Sequence, residues 1–127
     1  MKKLLAISLI GMFVFTACKK STEDVSLTGK WNVETVVTKE YENSALINTN
    51  TEPGDGYKYD FQTNGNLLIT AFLVGTTVPY TIMGNSTVVI DGDSFEIRNL
   101  TGTQVTLFIR QNYGPGEYDE LFINLKR

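Results

Sequence analysis

The chain has 127 residues, with 11 basic and 14 acidic side chains, no histidine and a single cysteine. A slightly acidic chain of this size makes one small domain around one modest core, and it lacks the basic patch that would neutralise nucleic-acid phosphates. Without histidine there is no imidazole for a general base, a triad or a metal ligand, and one cysteine cannot close an intramolecular disulfide.

The chain opens with Met1-Lys2-Lys3, an apolar run from Leu4 to Phe15, and the small pair Thr16-Ala17 directly before Cys18. A basic start, an apolar stretch shorter than the ~20 residues of a spanning helix and small residues at a cut make a secretory leader. A cysteine immediately after the small residues resembles the lipobox of bacterial lipoproteins, with Phe15 where leucine is usual. That resemblance implies that residues 1–17 are removed, that the Cys18 thiol is linked to diacylglycerol, and that the new amine carries a further acyl chain such as palmitate. Two or three chains anchor stably where one binds marginally. With Lys2 and Lys3 gone, the remaining 110 residues carry a net charge of −5. Residues 18–26 hold the lipidated cysteine and a polar, aperiodic tether, Lys19 to Ser26, that spans at most about 27 Å. The charges at Lys19, Lys20, Glu23 and Asp24 resemble sorting signals of Gram-negative surface lipoproteins. The expectation is a protein lipid-anchored in the outer membrane, facing the periplasm or the cell surface. The plainer alternative is a soluble secreted protein with an incidental cysteine at the cut.

From Leu27 the chain is short strands between turn residues. Trp31-Val33-Thr35-Val37 alternate with Asn32 and Glu34, as a half-buried strand does. Tyr41 to Gly56 is the one long link. Tyr57-Tyr59-Phe61 alternate with Lys58-Asp60-Gln62 and run into Asn64-Gly65, a strong hairpin signal. Leu67 to Val74 reads as the return strand, followed by Val78-Tyr80-Ile82, a turn at Gly84-Asn85, Thr87 to Ile90, a turn at Asp91-Gly92-Asp93, and Phe95-Ile97. Thr101-Gly102 leads to Val105-Leu107-Ile109, and a loop at 112–117 leads to Leu121-Ile123-Leu125. That makes eight strands with short links, so sequence neighbours pair antiparallel. Closing the sheet removes both exposed edges. The predicted fold is therefore all-β: an eight-stranded antiparallel up-and-down barrel over residues 27–127. Charged or polar residues on one face of most strands argue against a membrane-spanning barrel, which needs an apolar outer band.

Gly29-Lys30-Trp31 at the first strand resembles the opening motif of lipocalins. The aromatic strand ending in Asn64-Gly65, the Tyr80-Thr81-Ile82 strand and the Ile97-Arg98-Asn99-Leu100-Thr101 step resemble the small lipocalin-like domains of bacterial lipoproteins. The Thr-Asp-Tyr motif of larger lipocalins is missing, and no helix is expected between the last strand and Arg127. The resemblance implies that Trp31 plugs the closed end of the barrel beneath a cation, Arg127 or Lys126.

Tyr57, Tyr59, Phe61, Tyr80 and Phe95 are expected to face the lumen. An eight-stranded barrel is just wide enough to be filled by side chains or to hold one small ligand, so these five either pack a core or line a pocket. Leu67 to Val74, read as one strand, is apolar on both faces. With Phe108 and Phe122 outside, it offers an apolar patch to a partner unless the 42–56 loop or the tether covers it. Asp91-Gly92-Asp93-Ser94 lacks the ligand spacing of a calcium loop, and Glu117, Asp119 and Glu120 read as exposed acids. The sequence implies no enzyme and no cofactor. Its partners would be the bilayer through Cys18, and either a small apolar or amphipathic ligand or an envelope protein.

Overall fold

The computed structural model describes residues 25–84 and 86–127. The leader, Cys18 and most of the tether lie outside the described residues, as does Asn85 of the expected Gly84-Asn85 turn. Nine strands follow in chain order: β1 (Gly29–Glu42), β2 (Ala45–Pro53), β3 (Lys58–Phe61), β4 (Asn66–Ala71), β5 (Val74–Met83), β6 (Thr87–Ile90), β7 (Asp93–Arg98), β8 (Gln104–Gly114) and β9 (Glu117–Lys126). Every pairing is antiparallel, in the order β1-β3-β4-β5-β6-β7-β8-β9, and β9 returns to pair with β1. Eight strands thus close into a barrel, and no helix occurs among the described residues. Closure satisfies the backbone groups that an open sheet would leave at two edges.

β2 is the strand the sequence did not announce. The long link expected from Tyr41 to Gly56 is instead a hairpin that pairs Thr35–Glu42 of β1 with Ala45–Pro53. Its turn residues, Asn43 and Ser44, both take positive φ, the geometry a tight hairpin needs. β3 pairs with the other stretch of the same β1 edge, Gly29–Asn32. The handover occurs at a bulge between Val33 and Thr35. There the Gly54 amide donates to the Glu34 carbonyl at 3.0 Å, and the Val33 amide donates to the Tyr57 carbonyl at 2.9 Å. Gly54 lies so close to Val33 that a Cβ on it would sit 1.8 Å from the Val33 carbonyl oxygen.

The second difference lies at Leu67 to Val74, which is not one strand. β4 ends at Ala71, Phe72-Leu73 turns, and β5 begins at Val74, with Ala71 opposite Val74. The expected two faces therefore do not exist: Leu67 and Ile69 face the lumen, and Phe72 and Leu73 form an exposed tip. The 112–117 loop likewise shrinks to a turn at Pro115-Gly116 between long strands.

Inward-facing residues meet in one core: Trp31 and Val33, Phe61, Leu67, Val88 and Ile90, Val105 and Leu107, Ile123 and Leu125, with the partly buried Val78 and Tyr80 of β5 and Phe95 and Ile97 of β7 packed against them. Removing each such side chain from water contributes about 1.5–3 kcal/mol. The side chains alternate with polar outward residues, the period-2 pattern of a half-buried sheet. The register places both chain termini at one end of the barrel with the 62–65, 84–86 and 99–103 turns. The 43–44, 72–73, 91–92 and 115–116 turns lie at the other end.

Candidate functional site

The two ends differ in chemistry. At the end that carries the termini, Trp31 is 1 % exposed. Its indole N–H donates to the Leu27 carbonyl at 2.8 Å, so the segment before β1 folds under the ring. The Arg127 guanidinium lies over the Trp31 ring, 4.0 Å from its centroid. The same guanidinium donates to the carbonyls of Gly102 (2.9 Å), Thr28 (3.1 Å) and Ser26 (3.3 Å). One side chain thus caps the plug and ties the N-terminal segment to the 99–103 turn. Lys126 instead points outward and pairs with Glu34 at 3.5 Å.

Above the plug the lumen is filled. Phe61, Leu67, Val88 and Leu107 are completely buried. Tyr80 meets Phe61 edge-on at 5.1 Å, and its hydroxyl donates to the Gln62 carbonyl, the partner a buried phenol requires. Of the five expected lumen residues, Phe61, Tyr59, Tyr80 and Phe95 belong to this inward cluster. Tyr57 does not: it precedes β3 and is 46 % exposed at the rim. It falls outside because its carbonyl is bound to Val33 at the bulge, before the alternation of β3 begins.

At the opposite end β1, β8 and β9 run past the core, and the inward row is only half-buried. Two hollows open there. One, of about 420 Å³, is lined by Val33, Val36, Tyr57 and Tyr59 and by the Glu52–Asp55 end of β2 and its link to β3. The other, of about 470 Å³, is lined by Asp93, Phe95, Leu121 and the Ile109–Asn112 stretch of β8, Arg110 included. Burial, with a smaller contribution from Tyr57, pushes the Tyr59 phenol above its ordinary value, so it stays a neutral donor across the physiological range. No family model, curated protein or solved structure matches the chain. The mouth has an apolar floor and an amphipathic rim, with Glu52 and Asp55 at one hollow and Asp93 and Arg110 at the other.

The outer wall of β7, β8, β9 and β1 carries a second set of contacts that the sequence did not reveal. Asn124 donates to the Thr35 hydroxyl at 2.9 Å and accepts from the Thr106 hydroxyl at 2.7 Å, bridging three strands. Phe108 and Phe122 are outward, as expected, and pack at 5.0 Å. They do not form an open patch, and among the described residues it is two cations that cover them, while most of the tether lies outside the described residues. Arg98 lies 3.7 Å over Phe108 and Lys39 lies 5.2 Å over Phe122, each cation spreading its stem across a ring. Higher on the wall, Tyr41 stacks on Tyr118 at 4.5 Å, Arg110 covers Tyr118, and Arg110 pairs with Glu120 at 3.1 Å. The signal for these pairs was present in the register rather than in any one strand: Phe108–Phe122, Tyr41–Tyr118 and Arg110–Glu120 lie directly across β8, β9 and β1, and the cations over the rings reach them diagonally from the neighbouring strand.

Proposed function

We propose that the mature protein is a membrane-anchored, lipocalin-like, non-enzymatic binding module that takes a small apolar or amphipathic molecule at the open mouth of its barrel. The observation that carries this reading is the pair of hollows above a filled core. Their volumes, about 420 and 470 Å³, fall in the ~300–1,000 Å³ range of small-molecule clefts. Their floors are the half-buried Val36, Tyr59, Phe95, Ile109 and Leu121, whose burial by a ligand is favourable. Tyr57, Glu52, Gln111 and Asn112 would orient the polar end of an amphipathic guest. Filling of the lower lumen by Phe61, Leu67 and Leu107 limits that guest to the mouth.

The test is native mass spectrometry of the acylated protein extracted gently from its own cells, beside an Ile109→Trp variant that fills the second hollow. A reproducible extra mass on the folded protein that is lost on unfolding and diminished in the variant supports the mouth site. Bare protein throughout overturns it.

A second reading rests on β2. All nine of its residues are exposed, and among the described residues its edge away from β1 carries no paired strand. An extended segment of an envelope protein would add to it by main-chain hydrogen bonds. Thr49→Pro would then abolish partner capture while the barrel's circular dichroism stays unchanged, and undiminished capture would exclude this mode.

A further inference from the structure

Of the chain's 11 basic and 14 acidic side chains, none lies between Phe61 and Ile90. The topology makes this thirty-residue gap a surface, because it spans β4, β5 and β6, three adjacent strands of the barrel. The outward residues of that wall are Asn66, Leu68 and Thr70, then Gly75, Thr77, Pro79, Thr81 and Met83, then Thr87 and Val89. Charges resume at once on either side, with Lys58 and Asp60 on β3 and Glu96 and Arg98 on β7. At the wall's open end the β4–β5 turn carries the most exposed apolar group among the described residues: Phe72 at 87 %, Leu73 at 102 % and Val74 at 71 %. Phe72 is held there at φ +57°, a conformation that bulky residues rarely adopt. Strain of this kind persists where a local site requires it.

We propose that this uncharged wall rests on the lipid bilayer, with the Phe72-Leu73-Val74 tip inserted among the headgroups and upper acyl chains. Three observations select a bilayer as the occupant. A three-residue convex apolar tip fits a fluid, deformable phase. Apart from one asparagine, Asn66, the wall offers threonine, proline, methionine and aliphatic groups and no charge, and these lose little when bacterial headgroups replace water. The net charge of −5 left after the leader would repel an anionic leaflet, and only with this wall down do the charged strands face away from it. Charges held beyond a Debye length, ~8 Å at physiological salt, are largely screened.

The placement rests on the lipid anchor read at Cys18. Seven residue steps from Cys18 to Val25 span at most about 25 Å. The tether enters beside the Trp31 plug, at the end opposite the tip. A barrel lying on its side satisfies both constraints, with anchor and tip reaching the bilayer from opposite ends of one wall. A barrel standing on its closed end would leave Phe72 in water.

Because Cys18 is the chain's only cysteine, Leu73→Cys in the acylated protein provides a single free thiol for an environment-sensitive nitrobenzoxadiazole label. Ile47→Cys, on exposed β2, is the control. In 3:1 phosphatidylethanolamine–phosphatidylglycerol vesicles the label at 73 should gain several-fold in intensity, shift blue and be quenched by brominated lipid, while the label at 47 changes little. Adding Thr77→Glu, which charges the wall without touching the tip, should reverse at least half of the gain. Intact mass reports acylation separately, so loss of the anchor is distinguishable from failure of the wall. Equal responses at 73 and 47 on acylated protein overturn the proposal. So does protection of position 73 in native envelopes but not in pure lipid, which would assign the tip to a protein.

Discussion

At the scale of single residues, two positions hold the barrel's ends and crossings in place. Gly54 is required by close approach rather than by φ. Any side chain there must push through the Val33 carbonyl, whose neighbouring groups are already committed to Tyr57 and Gly54. Overpacking usually costs about 1–3 kcal/mol, and here the obstacle is backbone that cannot rotate away. Gly54→Ala should therefore destabilise by more than about 3 kcal/mol, measured by denaturant unfolding, and a loss below 1 kcal/mol would mean that β2 and β3 can part without harm. Arg127 works differently, through a cation over an indole and three carbonyls that it satisfies at once. A partly desolvated cation–π contact contributes roughly 0.5–2 kcal/mol. Arg127→Ala should cost about 2 kcal/mol, and Arg127→Lys should recover only part of it, since one ammonium cannot reach three carbonyls and cover the ring. Full recovery by lysine would show that charge alone matters there.

At the scale of elements, the strands that could be read from the sequence were those with one face to bury. Tyr59 and Phe61 alternate with Lys58 and Asp60, and Val105 and Leu107 alternate with Thr106, because the core imposes the period. β2 escaped because it has no buried face; Ala45 to Pro53 is exposed throughout, so only its pairing with β1 defines it. The β4–β5 turn escaped for the opposite reason. Two-residue hairpins favour Asn, Asp and Gly at their centre, and Phe72-Leu73 reads as more strand. The plug was legible in Gly29-Lys30-Trp31 and the terminal cations, whereas the mouth hollows were not. They exist because β1, β8 and β9 outrun the core, a matter of relative strand height that no single segment encodes. The same turn yields a prediction. Left-handed backbone costs a bulky residue roughly 1–2 kcal/mol, and asparagine tolerates it. Phe72→Asn should stabilise the protein by about 1 kcal/mol and raise Tm by about 4 °C, while reducing the vesicle response of a label at 73. A lower Tm would show that Phe72 packs usefully in the folded protein.

At the scale of the whole molecule, the fold depends on one seam, where β9 returns to β1 and turns a sheet into a barrel. Glu120 sits on that seam between Arg110 of β8 and Tyr41 of β1. Burial alone would push its carboxyl up. The hydrogen bonds from Arg110 and Tyr41 and the nearby charges of Arg110 and Lys39 outweigh burial and hold it below the usual carboxylate range. The hydrogen bond to Glu120, with burial adding to it, pushes the Tyr41 phenol up, which keeps it a donor to that carboxylate. A carboxyl whose folded value is depressed contributes stability that is fully present above its unfolded value, near pH 4.3, and is lost as pH falls through the lower folded value. Glu96 is also depressed, by its hydrogen bond from Arg98, but that pair is exposed and joins residues of the same strand, so its loss would not open the barrel. Acid should therefore act first at the seam. Denaturant midpoints measured by circular dichroism from pH 7 down to about pH 2.5 should fall for the native chain below about pH 4.3. Glu120→Gln should begin less stable at neutral pH, lose less on acidification and converge with the native chain at the acid end. Parallel curves would remove Glu120 as the acid-sensitive closure and leave the seam to backbone pairing alone.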